Sequence, residues 1–379
     1  MFRTVIFWSH LSCGVVAGLA VLMLSVTGVL LTYERQILNW DNRTYYAEPD
    51  AGQTLLPIET LAAAIEEQAN FSPSSITFTA KASAPAIARQ GRSELRYMNP
   101  YTGEVYPSHK SQLDGFFSTV TAIHRWFNVS GESRAIARQI TGVSNLIFLF
   151  LILSGLYLWL PSIYRWGAFK LRLWFAKAPN SAARDFNWHH VLGIWAAIPL
   201  LVIVCTGSVF NYQWASNLVY RLVGEEPPQR GRQAPPPNNK AETQEFPARQ
   251  VPFTTILQNA GNQVENWQTL TVNLPVASDE HVTVSIDQGN GGQPQKRHSA
   301  ILDAESGDLV EWQPFSSLPA GRQARSWVRF LHTGEAFGIV GQTIAGLSSL
   351  AAVLMVWTGL ALAWRRWMRS RARARRTAM

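Results

Sequence analysis

The sequence predicts a membrane protein of mixed class: four transmembrane α-helices with two water-facing α+β domains, arranged as an internal pseudo-two-fold repeat. Three observations carry this. With 47% apolar residues, 15% charged residues and 15 tryptophans, the chain is too apolar for an ordinary soluble protein and too mixed for a wholly buried one. Four apolar runs are each long enough to cross a hydrocarbon core of about 30 Å, which takes roughly 20 helical residues. The two halves of the chain also align on each other at fixed offsets.

The first run, Leu11 to Tyr33 within segment 1–35, is longer than a signal peptide core. It continues into "TYERQ" without a small-residue cleavage site, so it is expected to be a retained helix. "LSCG" precedes the apolar run, the wrong side for a lipoprotein box. Residues 36–135 read as the first outer domain. "PIETLAAAIEEQA" has helical spacing, "SITFTA" and "LRYMNPYTGEVY" read as strands, and "NPYTG" reads as a turn. The second span, Ile140 to Leu160, lies in 136–161, and a short basic loop follows at 162–187. The third span, Val191 to Tyr212, lies in 188–212.

Residues 213–336 read as the second outer domain, opening with a Pro-rich polar stretch at 224–249 that predicts an extended linker. There "VPFTTILQNAGN" stands where the first domain has its helix, followed by strand candidates "LTVNL", "HVTVSID" and "HSAILDAESGDLVEW" with a turn at "DAESG". The last span, Ile339 to Trp364, lies in 337–366 and gives way to a basic tail at 367–379.

Charge sets the orientation. One arginine precedes the first span, five Lys/Arg lie between Pro161 and Asn187, and seven arginines fill "RRWMRSRARARR", while 24 of the 25 acids fall in the two long segments. The positive-inside rule then places both termini and the middle loop in the cytoplasm and both long segments outside. The net charge of +8 comes from this cytoplasmic fringe, whose expected partner is anionic lipid and not nucleic acid. Cys13 and Cys205 are the two cysteines. They lie in different spans near opposite ends, beyond disulfide reach, and read as small packing residues.

An offset of 179 lays the third span on the first, aligning His10 with His189, Gly14 with Gly193, Thr27-Gly28 with Thr206-Gly207, and Tyr33 with Tyr212. An offset of 204 lays "NPYTGEV" on "DAESGDL", "TGVSNL" on "AGLSSL", and Gly155-Leu156 on Gly359-Leu360. The expected unit is helix, outer domain, helix, written twice in parallel.

Five of the eight histidines, His10, His124, His189, His190 and His332, lie at or just before span ends. Ionisable groups at membrane depth are costly and point to function when they face a bundle interior, whereas at the headgroup level they serve as polar caps. Repetition favours function. His10 and His189 form a cytoplasmic-side pair, and His124 and His332 form an outer pair. Two neutral imidazoles facing one axis suit the axial positions of a haem held between helices. The absence of accompanying cysteine or carboxylate argues against a structural zinc site.

Two bis-histidine b-type haems, one per face, would make an electron path across the membrane, since His10 to Gly28 is about 27 Å of helix. Of the adjacent pair, the H-x-x-x-G register selects His189. His190 is a neighbouring or interfacial group. Gly14 and Gly193 either leave room for a flat macrocycle or permit close helix approach. Arg125 and Arg329, with Trp126 and Trp327, either contact haem propionates or a substrate, or form an aromatic-basic interfacial belt to which Tyr33 and Tyr212 would also belong. No G-x-G-x-x-G, P-loop or H-E-x-x-H motif marks a nucleotide or zinc-protease site.

The H-x-x-x-G openings, the T-G pairs, "HRWF" at His124, "LHTGEAFG" at Leu331 to Gly338 and the turn-flanked strands together resemble the PepSY-associated transmembrane family over nearly the whole chain. The resemblance implies PepSY-like periplasmic domains on a multi-pass protein of the bacterial inner membrane. Within that family the chain is similar to the reductases of ferric hydroxamate siderophores. The expected activity is therefore transmembrane reduction of a ferric siderophore by electrons from a cytoplasmic or quinol donor. A siderophore permease and a periplasmic sensor or protease-modulating protein are the alternatives. The histidine quartet separates the first from the other two.

Overall fold

The computed structural model describes residues 1–91, 94–107, 112–161, 164–228, 251–274 and 281–377. The chain opens with α1 (Phe2–Leu30) and a short α2 (Glu34–Asp41), then α3 (Ile58–Ala69), β1 (Ser75–Thr79), β2 (Ala86–Gln90) and β3 (Glu94–Met98). An amphipathic α4 (Gln112–Trp126) leads into α5 (Ser133–Trp159), followed by α6 (Trp166–Leu173), α7 (Ser181–Asn211) and α8 (Gln213–Leu222). The second half continues with α9 (Phe253–Gly261), β4 (Thr269–Asn273), β5 (His281–Asp287), β6 (Arg297–Asp303) and β7 (Leu309–Pro314). It ends with an amphipathic α10 (Ala320–Thr333) and α11 (Gly338–Thr377). The Pro-rich stretch expected to be a linker lies almost wholly outside the described residues.

The chain divides into two compact units. The first joins Met1–Glu34, Asp114–Val219 and Trp327–Met379, and the second joins Arg35–Leu113 and Tyr220–Ser326. In the first unit α1, α5, α7 and α11 are the helices long and apolar enough to cross a membrane. They begin before the four apolar runs because the flanking polar residues continue the same helices. α11 extends 40 residues, about 60 Å and twice the hydrocarbon thickness, which carries its arginines well past the apolar stretch.

The four helices pack in ring order: α5 lies against α1 and α7, and α11 lies against α7 and α1. Small residues line the seams, among them Ala17, Gly18, Ala137, Gly142, Ala196 and Ala352, as expected where close backbone approach replaces a hydrophobic driving force. Val16, Leu19, Ile198 and Leu347 remain exposed on the outside, where lipid would meet them. At one end of α7 the buried Asp185 is paired with Arg365 of α11 at 2.6 Å and with Arg184 at 2.9 Å. Asn187 accepts from the Ala176 N–H and donates to the carbonyls of Leu171 and Trp174, which fastens the loop after α6 onto α7.

The second unit corrects one expectation. The two long segments do not build separate sheets. They share a single antiparallel sheet ordered β3-β2-β1-β4-β5-β6-β7, in which β1 from the first segment pairs with β4 from the second over five residues, Ser75↔Asn273 to Thr79↔Thr269. The reason is visible in one row of side chains. Ala88, Ile76, Val272, Val284 and Ala300 stand opposite one another in neighbouring strands, and every one is fully buried. An edge at β1 or β4 would leave that row open to water and expose unpaired backbone.

Helices α3 and α9 contribute Ile58, Leu61 and Ile65, and Phe253, Ile256 and Leu257, to the same core. The two halves do repeat a turn. Asn99 Oδ1 accepts from the N–H groups of Tyr101 and Thr102, Asp303 Oδ1 accepts from those of Glu305 and Ser306, and Gly103 and Gly307 follow at φ 74° and 75°. Strand β2, "AIARQ", was not expected from the sequence, because its pattern is broken by alanines and flanked by polar residues.

Candidate functional site

All four histidines expected in pairs lie in the helical unit, and each meets a serine or threonine of a neighbouring helix. His10 on α1 has Nδ1 2.9 Å from Ser154 Oγ on α5. His189 on α7 has Nδ1 3.1 Å from Thr358 Oγ1 on α11. His124, near the end of α4, has Nδ1 2.7 Å from Thr27 Oγ1 on α1. His332, near the end of α10, has Nδ1 3.1 Å from Thr206 Oγ1 on α7. The residues that the 179 and 204 offsets align, His10 with His189 and Ser154 with Thr358, thus make the same contact in each half, and so do Thr27 and Thr206.

The hydroxyls reveal which ring nitrogen carries the proton. A hydroxyl has one hydrogen to donate, and each of the four donates it to the carbonyl four residues back in its own helix: Thr27 to Met23 at 2.7 Å, Ser154 to Phe150 at 2.6 Å, Thr206 to Val202 at 2.6 Å and Thr358 to Leu354 at 2.8 Å. Towards the histidine each oxygen must therefore accept, and Nδ1–H must donate. At His332 the carbonyl of Ile203, 2.8 Å from the same Nδ1, requires this independently. The lone pair then sits on Nε2, which makes no hydrogen bond to any described residue in all four rings. An imidazole whose Nδ1–H is tied to a fixed acceptor and whose Nε2 is open is the form that ligates metals.

The His124 and His332 rings lie 6.4 Å apart between centroids, at 67°. On α4, outside the four spans, burial first and then the neighbouring His332 ring hold His124 down to about 4; burial also lowers His332. Both rings are therefore neutral. Two chain reversals place them. After His124, Phe127 and Asn128 turn left-handed at φ 55° and 57°, their N–H groups bonding to the carbonyls of Ile123 and Ala122 to close α4. After His332, Gly334 at φ 77° and Gly338 at φ 64° make the corner into α11, and Gly334 approaches Gly341 too closely for any Cβ. This accounts for the glycines of "LHTGEAFG".

His190 stands apart from the pattern. Its Nδ1 donates to the Phe186 carbonyl at 2.8 Å, and its ring packs 4.1 Å from the Phe186 ring. A Cβ at Gly14 or Gly193 would meet Leu151 of α5 or Met355 of α11 at ordinary contact distances of 3.9 and 3.6 Å, so both glycines face a neighbouring helix with room for a methyl. Tyr33 is not a simple belt residue, since its hydroxyl bonds with Thr343 of α11 at 2.8 Å. Tyr212 lays its ring edge against Gly142 of α5 and stacks with Trp214.

Arg125 lies 4.5 Å over the Trp126 ring, with Arg134 3.8 Å over the same ring, while Arg329 lies over Phe330 at 5.7 Å and Trp327 packs near Phe337. Burial first, then the charges of Arg134, Arg138 and Arg329, push the Arg125 guanidinium below its ordinary value. Neither Arg125 nor Arg329 pairs with a carboxylate among the described residues. In the same residues no three His, Cys, Asp or Glu side chains gather at one point.

Sequence reading missed Thr27, Ser154, Thr206 and Thr358 as partners of the histidines. The signal was present: each is followed by glycine, and the Ser/Thr-Gly pairs align at the offset of 179 for Thr27 and Thr206 and of 204 for Ser154 and Thr358. It was readable only as a repeat marker, since each contact joins residues 97 to 169 positions apart.

Comparison with known proteins agrees with this layout. No curated protein matches the chain. The sequence matches the family described as "PepSY-associated TM region" from residue 7 to residue 366. With the match covering nearly the whole chain, from the first histidine-bearing helix to the end of the last apolar run, the protein belongs to the PepSY-associated transmembrane family.

Proposed function

We propose that the protein holds b-type haem between its paired histidines at two levels and passes single electrons across the membrane to a ferric siderophore. One observation carries this reading: four imidazoles at recurrent positions commit Nδ1 to a hydroxyl acceptor and leave Nε2 open. The separation of the His124 and His332 rings, 6.4 Å, suits the group. With Nδ1 engaged and Nε2 open, His124 and His332 would be the residues to hold it at this level. When bound, haem supplies the one-electron couple, tuned by its axial ligands and its burial.

The chain's own residues do the rest. His10 and His189 fix one level, and His124 and His332 fix the other. Thr27 lies 17 residues beyond His10 on α1, about 26 Å of helix, so the levels stand near opposite faces of an apolar core. Arg125 and Arg329 have no carboxylate partner among the described residues and suit the carboxylates of haem or an anionic group on the substrate. Arginine asymmetry puts this level and the sheet unit in the periplasm of the bacterial inner membrane, with both termini in the cytoplasm. The arginines of α11 then face anionic lipid, near a cytoplasmic or quinol donor.

Ferric iron is held tightly by hard oxygen donors such as hydroxamates, and ferrous iron much less so. One electron delivered at the outer level therefore releases the metal.

The deciding experiment is an absorption spectrum of detergent-purified protein from haem-replete cells, before and after dithionite. A low-spin b-type spectrum that changes on reduction is expected, and a colourless protein would sink the reading. Orientation is tested separately with Thr102→Cys in a chain where Cys13 and Cys205 are replaced by alanine. A membrane-impermeant maleimide should label it from the periplasmic side of intact spheroplasts. Protection there would reverse the direction of electron flow.

A further inference from the structure

We infer that Thr27, Ser154, Thr206 and Thr358 are positioning residues that set the ligand strength of the four histidines, an inference that rests on the haem reading above. Each accepts the Nδ1–H of its histidine, which locks the tautomer and leaves partial negative charge on the ring. This raises the basicity of Nε2, as outer partners of ligating histidines do in metal sites generally. A serine or threonine that bonds back to its own helix is common in this protein, as at Ser208, Thr343 and Ser349; what sets these four apart is that each oxygen also meets the Nδ1 of an imidazole from another helix.

The glycine that follows completes a cradle at three of the four. A Cβ at Gly155 would stand 3.4 Å from His10 Cε1, one at Gly359 would stand 3.3 Å from His189 Cε1, and one at Gly207 would stand 3.4 Å from His332 Cε1. The ring is thus held by a hydrogen bond on one edge, and the glycine leaves the space beside Cε1 that a side chain would narrow. Gly28 departs from this: its open side meets Ser349 instead.

The four hydroxyls are not equivalent, which makes the inference specific. Among the described residues His10 has Ser154 as its one hydrogen-bond partner, whereas His332 keeps the Ile203 carbonyl at 2.8 Å besides Thr206. Loss of the Ser154 hydroxyl should therefore be felt more than loss of the Thr206 hydroxyl.

The test uses full-length, haem-loaded protein in detergent, titrated spectroelectrochemically, with haem retention measured by transfer to apomyoglobin. In Ser154→Ala the couple that His10→Ala abolishes should move to higher potential, because a less basic ligand favours the ferric state less. Haem retention should fall about 10- to 100-fold. Ser154→Thr, which installs the residue that Thr358 already is in the other half, should restore both. Thr206→Val should shift the outer couple in the same direction by less.

A Ser154→Ala protein with wild-type potential and retention overturns the inference, and so does a Ser154→Thr protein as impaired as Ser154→Ala, since that would mark a packing role. Histidine labelled with 15N gives a readout without haem. In stripped wild type His10 should be held as Nδ1–H, and in Ser154→Ala it should become a tautomer mixture. If purified wild type carries no haem, the haem reading falls by itself. The tautomer comparison then still decides whether the hydroxyl directs the ring, and an unchanged tautomer rejects it.

Discussion

The two histidine levels are built from the same parts with the roles exchanged. At the level proposed as inner the membrane-crossing helices α1 and α7 carry the imidazoles, and α5 and α11 answer with hydroxyls. At the level proposed as outer α1 and α7 supply the hydroxyls, and the imidazoles come from α4 and α10, which lie outside the four spans. The inner rings are thus fixed by helix register alone. The outer rings depend on how two short amphipathic helices end: one at the left-handed Phe127 and Asn128, the other at Gly334 and Gly338. A left-handed phenylalanine is uncommon and costs of order 1–3 kcal/mol, strain that persists only where the surroundings enforce it. A pair carried by two short helices depends on the corners that end them, whereas a pair built into spanning helices is fixed by the packing of the bundle.

The largest effect separates the levels outright. His10→Ala or His189→Ala should halve the haem-to-protein ratio measured as pyridine haemochrome and leave the outer spectrum in place, because no residue of the outer level sits on the inner pair. Loss of both haems from a folded His10→Ala protein would break the comparison, since it would mean that one site spans both levels. His190→Ala should keep the full ratio, its ring being tied to Phe186 on its own helix.

The next effect probes the level carried by the short helices. Gly334→Ala places a side chain at φ 77° against the backbone of Gly341 and should cost about 1–3 kcal/mol, more if the corner cannot open. The outer haem should be lost at lower temperature than in wild type while the inner one persists, read by following the two couples through a thermal ramp. Equal lability of both would show that the corner supports the whole bundle and not His332 in particular.

How much of this was legible in the sequence follows the range of the interactions. The spans were readable because an apolar run of about 20 residues has one membrane solution. The turns at Asn99 and Asp303 were readable because a side-chain oxygen bonding two and three residues ahead, followed by glycine, is a local signal. The alignment of His10 with His189 was readable through repetition, and the same hydroxyl contact recurs at both. Helices α4 and α10 were not, since their polar faces and modest length hide beside the apolar runs they precede. Nor was the single sheet. The β1–β4 seam joins residues nearly 200 apart, and nothing within "SITFTA" or "LTVNL" says that each is the other's neighbour. The hydroxyl partners of the histidines were missed for the same reason.

The smallest expected effect decides between two roles for the glycine of the H-x-x-x-G pattern. If Gly14 exists to leave space for a macrocycle beside His10, then Gly14→Ala must intrude on the inner site and lower the haem content. If it exists for helix packing, the added methyl meets only Leu151 Cδ2 at 3.9 Å, an ordinary contact. The helix would then gain from replacing its least favourable residue short of proline, by up to about 1 kcal/mol. The contacts favour the second role, so Gly14→Ala should keep both couples and melt at or slightly above the wild-type temperature. Gly155→Ala, with its methyl 3.4 Å from His10 Cε1, provides the contrast: one small side chain added on the other flank of the same ring should loosen the inner haem. If Gly14→Ala loses the inner haem and Gly155→Ala does not, the open side of the His10 ring faces Gly14, and the cradle formed by Ser154 and Gly155 is not what orients it.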